Sequence, residues 1–201
     1  LSITAGFFIG ILALPVLMAA KPNLYDKLAI AIIPFFFIAT PLGIIIAHYI
    51  SRKIPLVWQI AKFGVIGVLN TLVDLGVLTY LLFIFRKTFL IQPESIIFAT
   101  ALFAVSFYTI YKSISFIVAN INSYFWNKYW TFEQNASENK GIEFTSFLVV
   151  SIIGFVLNIT VSSFIFQSLY ASAGLSSDQG GLIGALAGTI IGLGWNFVGY
   201  K

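Results

Sequence analysis

The chain has 201 residues, 59% of them hydrophobic and 9% charged, against roughly 25% charged in an average soluble domain, and its mean hydropathy is +0.98. So little charge cannot clothe a water-facing surface, which leaves the bilayer as the solvent and excludes a soluble domain. The net charge of +4 falls mainly at positions flanking apolar runs, which excludes nucleic acid as a partner; with no cysteine and one histidine, His48, disulfides, thiolate chemistry and a histidine-rich metal site are excluded too.

A bilayer core about 30 Å thick takes roughly 20 apolar residues per helix, and runs of that length recur along the chain. Backbone groups in hydrocarbon must be paired within the segment, so the spans are read as helices; runs such as Ile44–Ile46 lack the alternation of a membrane strand. In chain order the expected spans are about Ser2–Ala20, Leu28–Ile50, Val57–Phe85, Tyr108–Trp126, Glu143–Leu169 and Gly181–Tyr200. Leu1–Ala20 lacks the basic start of a signal peptide and runs on into a second span. Pro15, Pro34 and Pro41 lie inside the first two spans, so that hairpin is expected to be irregular. Ser95–Phe107 is apolar but short, preceded by Pro93 and Glu94 and followed by Lys112. It is read as an interfacial or re-entrant helix on the outer side. The fold expected is an all-α polytopic bundle.

With six spans, Arg52, Lys53, Lys62, Lys128, Lys140 and Lys201 fall on one side, and Lys21, Lys27, Arg86 and Lys87 on the other. The first side is then cytoplasmic and holds both termini. The start at Leu1 leads us to expect further residues before it, and the end at Lys201 further residues beyond it.

An internal repeat organises the last four spans. Phe63-Gly64-Val65-Ile66-Gly67 aligns with Phe147-Leu148-Val149-Val150-Ser151, and the same register sets Asn70 on Gly154 and Asp74 on Asn158. Ser123–Lys128 aligns likewise with Asn196–Lys201. Each half is a pair of helices, and two crossings per half give both halves the same orientation, one of the arrangements on which transporters are built. The expected division is a hairpin extension over 1–53 and a four-helix core of two parallel repeats over 54–201.

Asp74 stands inside the third span, with Asn70 one turn before it and Thr71 beside that residue. Ionisable groups within a span are expensive and mark a pathway or a buried partner. Lys112 is the expected partner. Asp74 lies 12 positions from Lys62, about 18 Å along a helix, and Lys112 16 positions from Lys128, about 24 Å, so their depths are similar. The pair reads either as a structural ion pair or as an anion site in which Lys112 receives a phosphate, helped near the surface by Arg86 and Lys87. Amides at Asn122 and Asn158 serve either as interhelical bonds or as contacts to sugar hydroxyls. Gly180, Gly181, Gly184, Gly188, Gly192 and Gly194, at about four-residue spacing, read as a close-packing helix face.

Two segments carry a family resemblance: Lys62-Phe63-Gly64-Val65-Ile66-Gly67-Val68-Leu69-Asn70-Thr71-Leu72-Val73-Asp74 and Asn122-Ser123-Tyr124-Phe125-Trp126-Asn127-Lys128-Tyr129-Trp130-Thr131-Phe132. Together, in this order, they resemble the GtrA-like family, over about Val57 to Lys201. The resemblance implies a four-helix bacterial inner-membrane protein that flips polyprenyl-phosphate-linked sugars for cell-surface polysaccharide assembly. The chain departs from it in the extra hairpin and in a longer Arg86–Tyr111 linker, and a closing Trp-x-Phe after Lys201 is missing. No nucleophile-base pair, metal cluster or nucleotide loop is present, so neither enzymatic activity nor a cofactor is expected. Two alternatives stay open: a scaffold recruiting a glycosyltransferase through Asn127–Phe132 and the acidic loop that follows, and a proton-coupled carrier of hydrophobic cations bound at Asp74. Oligomeric state is also open.

Overall fold

In a computed structural model, residues 1–100, 104–126, 129–130, 140–172 and 174–199 are described. Six helices follow one another: α1 Ser2–Ala20, α2 Pro22–Ser51, α3 Leu56–Phe89, α4 Phe107–Trp126, α5 Lys140–Ser172 and α6 Ser177–Gly199. The protein is an all-α polytopic membrane protein. α1, α2, α3 and the Val149–Tyr170 part of α5 combine spanning length with mean hydropathies of 2.0 to 2.5. α4, at 20 residues, is about 30 Å long, the thickness of the hydrocarbon core.

Two compact units emerge, each drawing on separate stretches of chain: residues 1–76 with 118–135, and 77–117 with 136–201. In the first unit α1 and α2 pack as a hairpin turning at Lys21, with Pro22 opening α2, where its missing N–H costs nothing. The helices approach closely at Gly10, where an added Cβ would stand 2.8 Å from the Ile33 Cα. Contrary to the irregularity expected there, both helices run unbroken through their prolines. The hairpin shares a core with α3 in which Ala5, Ile9, Ile44, Ile66, Leu69 and Trp130 are buried.

In the second unit α3 ends at Phe89, and Leu90, with a left-handed φ of 56°, turns the chain while the Ile91 N–H returns to the Phe85 carbonyl. The described residues between Ser95 and Ser106 form no helix, contrary to the interfacial or re-entrant helix expected over Ser95–Phe107. Strands β1 (Ile96–Ala99) and β2 (Ala104–Ser106) pair antiparallel, with a register irregularity between Ile96 and Phe98. Its β-branched and aromatic residues favour the strand, and an apolar run without a 3.6-residue period offers a helix no single face to bury. The Phe107 and Tyr108 N–H groups, which α4 cannot satisfy internally, bond to the carbonyls of Ser95 and Pro93. α5 and α6 form the unit's second hairpin, closed by the Trp195 indole donating to the Val150 carbonyl at 3.1 Å.

Candidate functional site

The buried polar groups follow from which helix faces are packed. On α3 the buried residues fall on two faces, Lys62, Ile66 and Leu69 on one and Asp74, Leu75, Leu78 and Leu82 on the opposite side, the change coming between Leu69 and Asp74. On α4 the stripe is Tyr108, Tyr111, Lys112, Ser115 and Ala119.

In the first unit Asp74 is 3% exposed. Asn122 of α4 donates from Nδ2 to the Asn70 Oδ1 across 3.5 Å, a long bond between the two helices one turn from Asp74. Thr71, grouped with them in sequence, bonds instead to the Gly67 carbonyl of its own helix at 2.9 Å. Lys62, counted in the sequence among the basic residues of one membrane side, packs inside the protein. It is 2% exposed, donates to the Trp130 carbonyl at 3.0 Å and lies 4.6 Å from the centre of the Trp58 ring. The Trp58 ring is met edge-on by His48. A charge taken from water at this cost is held by a carbonyl dipole and an aromatic face, both of which favour the cation.

In the second unit Lys112 is 0% exposed; its Nζ lies 5.8 Å from the Phe116 ring centre, and its own carbonyl accepts the Ser115 hydroxyl. Asn158 is also buried, its Oδ1 accepting from Ser162 at 3.4 Å. The amide stands against Gly188 and Gly192 of α6, so the small face of α6 admits it. The Tyr108 ring stacks on Phe166 at 4.0 Å and its hydroxyl donates to the Gly181 carbonyl. Two buried hydroxyls, Tyr111 Oη and Thr79 Oγ1, have no hydrogen-bond partner among the described residues. Neither was singled out from sequence, because satisfaction of a hydroxyl depends on neighbours far along the chain.

Arg86 and Lys87 close α3. Arg86 holds Asp178, in the first turn of α6, by two bonds of 2.9 and 3.1 Å, and beside them the Ser177 hydroxyl donates to Glu94 at 3.1 Å. Asp178 gains from the helix N-terminus as well as from the guanidinium. With the two side chains 33% and 36% exposed, the bridge is screened. Asp178→Ala is therefore expected to change stability by under about 1 kcal/mol, read as a small shift in thermal unfolding. Lys87 is exposed over the Phe83 ring.

Among the residues picked out from sequence, Asn70, Asp74 and Asn122 share the first unit, and Arg86, Lys87, Lys112 and Asn158 the second. Asn127 and Lys128 lie outside the described residues, as does most of the Asn127–Phe132 segment. No group of three or more His, Cys, Asp or Glu able to hold a metal occurs among the described residues. The GtrA/DPMS transmembrane-domain family model matches residues 62–201. The chain belongs to the GtrA/DPMS family. Both segments that carry the resemblance lie within this match, as do all seven candidate residues, and α1 and α2 precede it. No curated protein and no solved structure matches the chain significantly. Lys62, the first residue of the family match, is buried within the protein.

Proposed function

We propose that this GtrA/DPMS protein moves a polyprenyl-phosphate-linked sugar across the bacterial inner membrane for cell-surface polysaccharide assembly, with both termini in the cytoplasm. The observation that carries the proposal is the ammonium of Lys112, wholly buried in a helix of spanning length. A phosphate leaving water needs positive charge and donors, and Lys112 offers both. Arg86 and Lys87, at the end of α3, meet the phosphate near the surface. For Arg86 this requires releasing Asp178, a screened bridge that opens at little cost. Asn158, in the same unit as Lys112, supplies an amide for a sugar hydroxyl; in the other unit Asn70 and Asn122 offer amides of the same kind, and Asp74 there carries either a charge or a coupled proton. The polyprenyl tail stays in lipid. The protein's part is passage, with no bond made or broken.

The test is phosphate-dependent binding. Thermal unfolding of the purified protein is followed with a polyprenyl-phosphate-linked sugar and with the corresponding polyprenol, which lacks the phosphate. A ligand at 100 times its Kd stabilises by about 2.7 kcal/mol, so the phosphate form raises Tm by several degrees and the alcohol does not. Equal shifts, or none, would overturn the reading. The Tyr111 hydroxyl sharpens this test. Removing an unsatisfied buried hydroxyl is expected to stabilise the ligand-free protein by about 1 kcal/mol, so Tyr111→Phe should raise Tm without ligand. If that hydroxyl meets the sugar, the same variant binds about tenfold more weakly, matching the loss of one hydrogen bond.

A further inference from the structure

We infer that Arg52 and Lys53, in the turn between α2 and α3, form a binding site for the phosphate headgroup of an anionic phospholipid. The inference does not rest on what the protein transports, and the turn lies ahead of the family match.

The depth of the turn follows from the sequence of α2. Asp26 and Lys27 stand near the start of the helix, and from Leu28 to Ile50 there is no Asp, Glu, Lys or Arg. That stretch is about 34 Å long as a helix, close to the roughly 30 Å of hydrocarbon it has to cross. α2 ends at Ser51, so Arg52 and Lys53 stand within a turn of the point where the hydrocarbon ends.

The turn fixes both residues in place. The Lys53 and Ile54 N–H groups bond to the Ile50 carbonyl at 3.0 and 3.1 Å, and the Val57 N–H bonds to the Ile54 carbonyl at 3.0 Å as α3 begins. The Arg52 guanidinium carbon lies 4.7 Å from the centre of the Tyr49 ring, one turn back on α2. The ring orients the planar cation and leaves its N–H donors for a ligand.

The two side chains take their counter-charge from outside the described residues. Both are exposed, and neither has a carboxylate or hydrogen-bond acceptor among those residues. The chain carries no acidic residue between Asp26 and Asp74. Its other arginine, Arg86, is by contrast held by Asp178. The neighbours of the cations select the class of anion. Ile50 (46% exposed), Ile54 (55%) and Leu56 (61%) present aliphatic side chains before and after them. A free phosphate ion or an acidic peptide leaves those side chains in water. A phospholipid offers its phosphate to the cations and its acyl chains to the aliphatic groups. Paired guanidinium N–H groups suit two phosphate oxygens, and the ammonium adds a second positive charge.

The test uses the full chain purified in a neutral detergent and titrated with phosphatidylglycerol, phosphatidylcholine or inorganic phosphate, with thermal unfolding as the readout. Arg52→Gln/Lys53→Gln is compared with Lys21→Gln/Lys27→Gln, which removes the same charge from exposed positions around the start of α2. Phosphatidylglycerol is expected to raise the Tm of the unaltered chain by several degrees, and the other two ligands are not. Its apparent affinity is expected to fall about thirtyfold in Arg52→Gln/Lys53→Gln, the loss of two cations beside an anionic headgroup, and to hold in the control pair. Equal shifts with the two lipids would overturn the proposal, as would a phosphatidylglycerol shift unchanged in Arg52→Gln/Lys53→Gln. An equal loss in the control pair would overturn it by reducing the effect to net charge. An equal shift with inorganic phosphate would do so too, in favour of a free anion. Tighter binding of a polyprenyl phosphate, lost in the same variant, would overturn it in favour of a loading site for that lipid.

Discussion

Replacing Lys112 by methionine is expected to lower transport of a polyprenyl-phosphate-linked sugar by about ten- to a hundredfold while the protein still inserts and purifies. Methionine is flexible and of similar length, so it refills the buried space on α4 with little cost in packing. What it lacks is the charge. A hydrogen bond to a charged group is worth about 1.5–3 kcal/mol, and each 1.4 kcal/mol is tenfold, which sets the size of the expected loss. Lys112→Arg keeps the cation in a bulkier, planar form and is expected to fall between the two. Initial rates in vesicles, normalised to folded protein, measure all three. Wild-type rates from folded Lys112→Met would leave Lys112 a structural residue.

The second large effect concerns the α5–α6 hairpin. At Gly184 a Cβ would stand 2.6 Å from the Ser162 carbonyl oxygen and 3.1 Å from the Tyr108 hydroxyl. The nearer atom is backbone, so the helices must separate to admit a methyl group. Gly194, on the same helix, has nothing within 4 Å of its Cβ position. Alanine is the better helix former by about 1 kcal/mol, so Gly194→Ala is expected to be neutral or slightly stabilising. Gly184→Ala carries that same gain and is still expected to destabilise, because overpacking costs about 1–3 kcal/mol or more. Thermal unfolding of the two variants side by side cancels the propensity term. Equal shifts would mean that the hairpin is looser than its geometry.

Much of this packing was legible in sequence. The small-residue spacing from Gly180 to Gly194 pointed to a close helix face, and Gly181, Gly184 and Gly188 do lie against Tyr108, Ser162 and Asn158. The six helices were legible because apolar runs of spanning length have few other solutions. Their ends were less so: α2 starts at Pro22, ahead of the apolar run, because proline suits a first helical turn. One reading failed for a physical reason. The Ser95–Phe107 segment was read as a helix, although an apolar run without helical period is equally a strand, and pairing between Ile96 and Ser106 cannot be seen locally. The packing of Lys62 was not legible either, because its acceptor, the Trp130 carbonyl, lies 68 residues on. Asp74 and Asn158, set against each other by the repeat in the sequence, are both buried.

Transbilayer movement of the lipid itself is the decisive measurement. The purified protein is reconstituted in sealed vesicles with a polyprenyl-phosphate-linked sugar, and the fraction of sugar reached by a membrane-impermeant reagent is followed in time. Translocation predicts that the protected inner pool becomes accessible in vesicles holding the wild-type chain, and much more slowly with Lys112→Met. A protected pool that persists as it does in protein-free vesicles would contradict it.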